Sequence, residues 1–167
     1  MKRTFLLAAG IFSCLFLNAQ SSADFVRSWE KGPDWLKDGV IYQVYPSSYK
    51  DSDGNGIGDI RGVISKLDYI ESLGVRAIWF NPLFVSGWID GGYDVIDFYR
   101  VDPRFGTNND LVELIEKAHA RGIKVMLDLV AGHTSDKHPW FLQSAQDSNL
   151  QYSDYYIWSD RLPDAKA

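Results

Sequence analysis

The stretch Asp51-Ser52-Asp53-Gly54-Asn55-Gly56-Ile57-Gly58-Asp59 sets oxygen-bearing side chains at alternate positions, between glycines that allow tight turning. A hard cation such as Ca²⁺ needs several carboxylate and carbonyl oxygens at once, and this spacing supplies them from one short loop. Asp51, Asp53, Asn55 and Asp59 are read as side-chain ligands, with Ile57 contributing its backbone carbonyl. The nine positions follow the start of an EF-hand loop, but Gly62 stands where that motif requires a bidentate Glu. No helical pattern precedes the loop either, so the expectation is a calcium loop between a strand and a helix. The competing reading is a solvated turn of Asx and glycine residues that holds no metal.

The elements around this loop follow from apolar patterning. Val40 to Tyr45 reads as a buried strand, and Ile60, Val63, Ile64, Leu67 and Ile70 recur at the three- and four-residue spacing of one amphipathic helix, closed by Gly74. The order then repeats. Val75 to Phe80 is a second strand, Asn81 to Gly106 a long polar and aromatic loop, and Leu111, Leu114, Ile115 and Ala118 a helix face behind a Thr107/Asp110 capping box. Gly122 closes that helix, and Ile123 to Leu129 is a third strand; from Ala131 onward the chain reads as irregular. Continuous apolar strands alternating with helices imply a parallel sheet covered by helices. Each strand is followed by a loop rich in Asp, Tyr, Trp or His, at the end where β/α barrels keep their sites, and no Gly-rich phosphate loop follows the first strand. The expected fold class is therefore α/β, the N-terminal part of a (β/α)₈ barrel. Three β/α units fall short of the roughly 250 residues of a closed barrel, so an incomplete barrel is expected.

Composition excludes several classes. The 167 residues carry a net charge of −5 with no basic stripe, which argues against nucleic-acid binding. A hydrophobic share of 46% argues against disorder. Lys2 and Arg3, the apolar run Phe5 to Leu17 and the small residue Ala19 have the layout of a secretory signal peptide over residues 1–19, too short for a stable membrane span. The expected destination is therefore secreted or periplasmic. The alternative makes Cys14, the sole cysteine, the modified residue of a lipoprotein; the bulky Phe12 and the apolar residues after Cys14 speak against it.

The motifs Ile41-Tyr42-Gln43-Val44-Tyr45-Pro46, the Asp51–Asp59 loop, Gly92-Tyr93-Asp94 and Asp128-Leu129-Val130-Ala131-Gly132-His133 together resemble the α-amylase family of glycoside hydrolases (family thirteen), from about Trp35 to Trp158. The calcium loop and His133-Thr134-Ser135-Asp136-Lys137-His138-Pro139-Trp140-Phe141 look most like its oligo-1,6-glucosidase, α-glucosidase and maltogenic-amylase side. The resemblance implies a lead-in over 20–38, the first part of the catalytic barrel over 39–133, and the start of an inserted domain over 134–167. It also implies retaining cleavage of α-glucosidic bonds in malto-oligosaccharides or α-glucans by two carboxylates about 5 Å apart. Those groups, a nucleophilic Asp and an acid Glu, follow strands four and five in the family and a further Asp follows strand seven, so none is expected among these residues. A non-catalytic sugar-binding or transport-associated relative is the alternative function. Oligomeric state is left open.

The resemblance assigns the sugar-holding side of the site residue by residue. Tyr93 matches the tyrosine that stacks on glucose at the cleavage subsite, where an aromatic face meets the sugar's C–H face. Asp90 matches an acceptor for terminal glucose hydroxyls, although its flanks (Trp88-Ile89 and Gly91) differ from the common pattern. His133 matches a histidine that contacts the same sugar. Asp128 matches a supporting carboxylate beside an Arg that this chain lacks, and a buried carboxylate without that partner would be costly or protonated. Gly132 stands where many members have an Asn that ligates a further calcium, leaving the Asp51 loop as the supported metal site.

Overall fold

The computed structural model describes residues 32–146 and 151–159. The proposed signal segment and most of the lead-in lie outside the described residues. The chain divides into two compact units, Met1–Lys37 and Asp38–Ala167. In the first, one helical turn, α1 (Asp34–Lys37), is tied by an ion pair between Lys37 Nζ and Asp34 at 2.7 Å.

The second unit opens with strand β1 (Ile41–Val44) and a short helix α2 (Pro46–Tyr49), with Pro46 at a first-turn position where its missing N–H is harmless. The Asp-rich loop leads to α3 (Ile60–Ile64) and α4 (Leu67–Ser72), followed by β2 (Ala77–Phe80). Strands β3 (Phe84–Ser86) and β4 (Val95–Val101), helix α5 (Asn108–His119), β5 (Lys124–Leu127) and α6 (Pro139–Ser144) complete the order before a 3₁₀ turn at Ser153–Tyr155.

Strands β1, β2 and β5 form a parallel sheet in that order, with Val44, Phe80 and Leu127 in register. One core contains Val44, Ile78 and Phe80 from the sheet, with Ile60, Val63, Leu67, Ile70, Leu114 and Ala118 from the helices. Gly74 and Gly122 both take left-handed φ (+72° and +73°), ending their helices as expected. The capping box on α5 also forms. Thr107 accepts from the Asp110 N–H at 3.2 Å, and Asp110 accepts from the Thr107 N–H at 2.8 Å.

Three expectations require correction. The single helix expected from Ile60 to Ile70 is two helices. The Ser65 hydroxyl donates back to the Gly62 carbonyl (2.6 Å), the Lys66 N–H bonds Val63 in a tightened turn (2.9 Å), and Lys66 leaves helical geometry at φ −110°, ψ 5°. The loop expected over Asn81–Gly106 contains the antiparallel pair β3–β4, with Ser86 opposite Val95 and Phe84 opposite Val101 across irregular register. The irregular tail contains α6, capped by His138 Nδ1, which accepts from the Trp140 N–H at 3.1 Å. The two faces of the sheet differ in burial. Val44, Ile78 and Phe80 are buried, whereas Gln43 and Met126, two residues before Tyr45 and Asp128, are exposed. Among the described residues, no helix is long and apolar enough to cross a membrane.

Candidate functional site

Residues immediately after the three parallel strands share one level. Continuing the register by one position sets Tyr45, Asn81 and Asp128 side by side at the C-terminal end of the sheet. Tyr93, carried by the β3–β4 connection, joins them. Its hydroxyl donates to Asp128 Oδ2 and accepts from Asn81 Nδ2, each at 3.1 Å, and Asn81 Oδ1 accepts from Gln43 Nε2 at 3.1 Å. One hydrogen-bonded line therefore runs across all three strands and fixes the Tyr93 ring. Partial burial raises the Tyr93 hydroxyl's pKa, and its bond to Asp128 raises it further against a smaller opposing effect from Asn81. The group remains a proton donor at neutral pH.

Asp90 and His133 flank this line. Asp90 Oδ2 lies 3.9 Å from His133 Nε2, too far for a direct hydrogen bond, and both side chains are about half exposed. A carboxylate and an imidazole so placed can accept from and donate to the hydroxyls of one polyol. Asp90 Oδ1 is held by the Asp94 N–H at 2.7 Å. The structure thus brings Asp90, Tyr93, Asp128 and His133 to one end of the sheet. Asp128 is half-buried, and its Oδ2 accepts the Tyr93 hydroxyl.

Asp94, beside Tyr93, is buried. Burial would raise its carboxyl, but the Ser86 hydroxyl (2.6 Å) and neighbouring groups hold it below the ordinary carboxylate value. Its Oδ2 has no hydrogen-bond partner among the described residues.

The Asp-rich loop gathers a second set of oxygens. Asp51, Asp53 and Asp59 each bring a carboxylate oxygen within 4.8 Å of the others. Asp51 accepts from the N–H groups of Asp53, Gly54 and Gly56, and these backbone donors, Gly56 first, lower its pKa. Asp53 accepts from the backbone and side-chain amides of Asn55, and Asp59 from Gly62 and twice from Ser52. An ionised carboxylate offers about four lone-pair sites, so each of the three retains acceptor capacity for a cation. No Lys or Arg forms an ion pair with them among the described residues. An all-oxygen set without a neutralising partner fits Ca²⁺. Asn55 adjoins the trio through Asp53, and its Oδ1 accepts from the Ile57 N–H at 2.8 Å, while Ile57 packs its side chain on the core. Gly62 also finds its reason here: a Cβ at that position would overlap the Lys50 carbonyl, so no Glu can stand where an EF-hand would need one.

Asn81 and Gln43 escaped the sequence reading. Asn81 stands directly after an apolar strand, the position from which barrel loops present side chains. Gln43, a polar residue inside the first apolar run, was the other available signal. A cavity of about 730 Å³, lined by Phe84, Phe98, Trp140, Tyr156 and His133 among others, shares only His133 with this site. Its walls are largely apolar and offer few groups to fix hydroxyls, unlike the strand-end cluster.

A parallel sheet with polar and aromatic groups converging on its C-terminal edge defines the site of a β/α-barrel protein. The family described as Alpha amylase, catalytic domain matches residues 43–166. The chain is 48% identical over 131 residues to an oligo-1,6-glucosidase of Heyndrickxia coagulans, covering 78% of this chain and 24% of that protein. It is 47% identical over 135 residues to a probable alpha-glucosidase of Rhizobium meliloti (strain 1021), covering 81% and 24%. The crystal structure of trehalose-6-phosphate hydrolase (TreA) of Bacillus licheniformis superposes with a TM-score of 0.74 at 50% identity, covering 77% of this chain and 23% of that one. The chain belongs to the α-amylase family, and its three parallel strands are part of that family's (β/α)₈ barrel. It spans about a quarter of the length of these relatives.

Proposed function

We propose that the protein carrying this chain is an exported glycosidase that cleaves α-glucosidic bonds of malto-oligosaccharides or α-glucans with retention at the anomeric carbon. The observation that carries this reading is the Tyr93 hydroxyl tied between Asn81 and Asp128, with Asp90 and His133 beside it. In this arrangement Tyr93 offers its ring to the C–H face of a terminal glucose, Asp90 accepts from the sugar's hydroxyls, and His133 donates to them. Asp128 and Asn81 touch Tyr93 rather than sugar and fix its ring before substrate arrives, which lowers the ordering cost of binding. Retaining chemistry needs a nucleophilic carboxylate and a carboxylic acid about 5 Å apart. In this reading both belong to segments after later barrel strands. Relatives named oligo-1,6-glucosidase and probable alpha-glucosidase support an α-glucosidic substrate.

Asp51, Asp53 and Asp59, with Asn55 and the Ile57 carbonyl, would hold one Ca²⁺. Bound there, the ion supplies positive charge to a loop that leads directly into the N-cap of α3. Residues 1–19 would direct export, and amino-terminal sequencing of the exported protein should begin at Gln20; an intact Met1 would refute this. The reaction is tested with the full-length protein on maltose, isomaltose and an α-glucan, following the first-released anomer by NMR. Release of α-glucose is expected. Sugar binding without turnover on any of the three would point to the non-catalytic relative instead.

A further inference from the structure

The segment joining β3 to β4 carries Asp90 and Tyr93, but the contacts that pin it involve other residues. Trp88 is the one non-glycine residue among those described with left-handed φ (+58°), a conformation bulky side chains rarely adopt. Three groups hold it there. Its indole Nε1–H donates to Asp102 Oδ2 at 2.8 Å, its ring meets Phe105 edge-on at 5.4 Å, and the Arg104 guanidinium lies 3.5 Å above its ring centre. Asp102 is buried, and its other oxygen accepts from Arg104 Nε at 3.2 Å, so one carboxylate orients both the indole and the cation stacked on it. The backbone of Trp88 is held as well, its N–H donating to Ser86 Oγ at 3.0 Å. That same hydroxyl donates to Asp94, whose N–H fixes Asp90. A Cβ at Gly87 would overlap Asp94 Oδ2, so a larger residue there would displace the Asp94 carboxylate.

A backbone strained at one residue and over-determined by its side chain is the pattern found where structure is held for function. We infer that Trp88, Asp102 and Arg104 form a positioning clamp that sets how Asp90 and Tyr93 meet the sugar. The three residues act through the turn and do not touch substrate. The inference rests on the sugar-site reading above and goes beyond it by assigning binding geometry to residues outside the strand-end cluster. The unusual flank Trp88-Ile89 is then the chain's own means of fixing Asp90.

The test uses full-length protein, well below its unfolding midpoint, with active sites titrated so that misfolded material does not count. Trp88→Phe keeps a ring for Phe105 and Arg104 but removes the indole N–H; Asp102→Ala removes the acceptor, and Asp102→Asn restores a neutral one. The glucose inhibition constant is measured beside amide hydrogen exchange over residues 87–94. Trp88→Phe and Asp102→Ala should each raise the inhibition constant about tenfold and speed exchange in that segment, with Asp102→Asn recovering part of both. Faster exchange with an inhibition constant within twofold of wild type would overturn the inference, because the clamp would then be structural only. Unchanged exchange and unchanged inhibition would overturn it too. Tyr93→Ala separates the two readings. If it raises the inhibition constant and the clamp variants do not, the clamp alone falls; if it has no effect, the sugar-site reading fails and takes the clamp with it.

Discussion

Replacing Tyr93 by Phe isolates one oxygen atom of the proposed site. The ring remains available for stacking, while the hydroxyl's bonds to Asp128 and Asn81, each 3.1 Å, are lost together. A hydrogen bond to a charged group contributes about 1.5–3 kcal/mol, but Tyr93 and Asp128 are only half-buried and water can replace part of that contact. About 1–2 kcal/mol of lost orientation is the reasonable figure, which corresponds to roughly a 5- to 30-fold fall in kcat/KM at about 1.4 kcal/mol per tenfold. The assay is steady-state hydrolysis of a chromogenic α-glucoside by the full-length protein, supported by a thermal midpoint to exclude unfolding. Asp128→Ala completes a double-mutant cycle. If Asp128 acts by holding the hydroxyl, its removal should cost little once Tyr93 is already Phe, giving a coupling energy of about 1 kcal/mol. Because burial and Asp128 hold the hydroxyl's pKa above the ordinary tyrosine value, the effect should not vary between pH 6 and pH 9. Wild-type kcat/KM in Tyr93→Phe, or additive losses in the cycle, would refute the reasoning.

Two further predictions concern ions and protons. Calcium should raise the thermal midpoint of the full-length protein, by about 2.7 kcal/mol of stability when free Ca²⁺ is one hundred times its dissociation constant. Asp53→Ala should abolish that response without lowering the calcium-free midpoint, since Asp53 is exposed; an unchanged wild-type midpoint in millimolar calcium would remove the metal assignment. Burial lowers the pKa of the His138 imidazole below its ordinary 6.5, against an opposing pull from Asp97, so the neutral ring is the folded form. The unfolded chain then binds the proton more readily. Stability from this residue is complete above pH 6.5 and declines as pH falls from there toward the depressed folded value. Protonation also removes the Nδ1 acceptor that caps α6, so His138→Asn, a cap that does not titrate, should flatten the stability curve between pH 5 and pH 6.5; matching slopes would count against it.

What the sequence made legible was set by how local each signal is. The capping box at Thr107 and Asp110 and the helix-ending glycines depend on a few adjacent residues, and the structure has them as expected. The parallel sheet was legible because its central strand buries both Ala77 and Ile78, leaving no polar alternation to mislead. The break after Ile64 was not legible. Ile60, Val63, Leu67 and Ile70 are all buried, so the apolar period runs through the break as if the helix were whole, and only the Ser65 hydroxyl turning back on Gly62 interrupts it. The β3–β4 pair was hidden for a different reason. Its partners lie across a turn rich in glycine and aspartate, its register is irregular, and three of β4's seven residues are neither buried nor fully exposed. In the site, motif matching found Tyr93 and Asp128 but not the bond between them, because a 35-residue separation is closed only by the sheet.

That bond also shows how strongly the site depends on strand register. In a strand, neighbouring residues face opposite ways. Met126 and Asp128 therefore share the face that carries Gln43 and Tyr45 from β1 and Trp79 and Asn81 from β2, while Val44, Ile78 and Phe80 point into the core. A one-residue slip of β5 against β2 would turn Asp128 toward the helices and present Leu127 or Leu129 to Tyr93. It would lose the acceptor of the Tyr93 hydroxyl and bury a carboxylate among apolar side chains, two penalties that both oppose the slip. The apolar face that fixes the register and the polar face that would hold the sugar are thus two sides of one pattern. The same burial of Ile78 and Phe80 that stabilises the sheet sets Asn81 and Asp128 at one height, where Tyr93 can reach both.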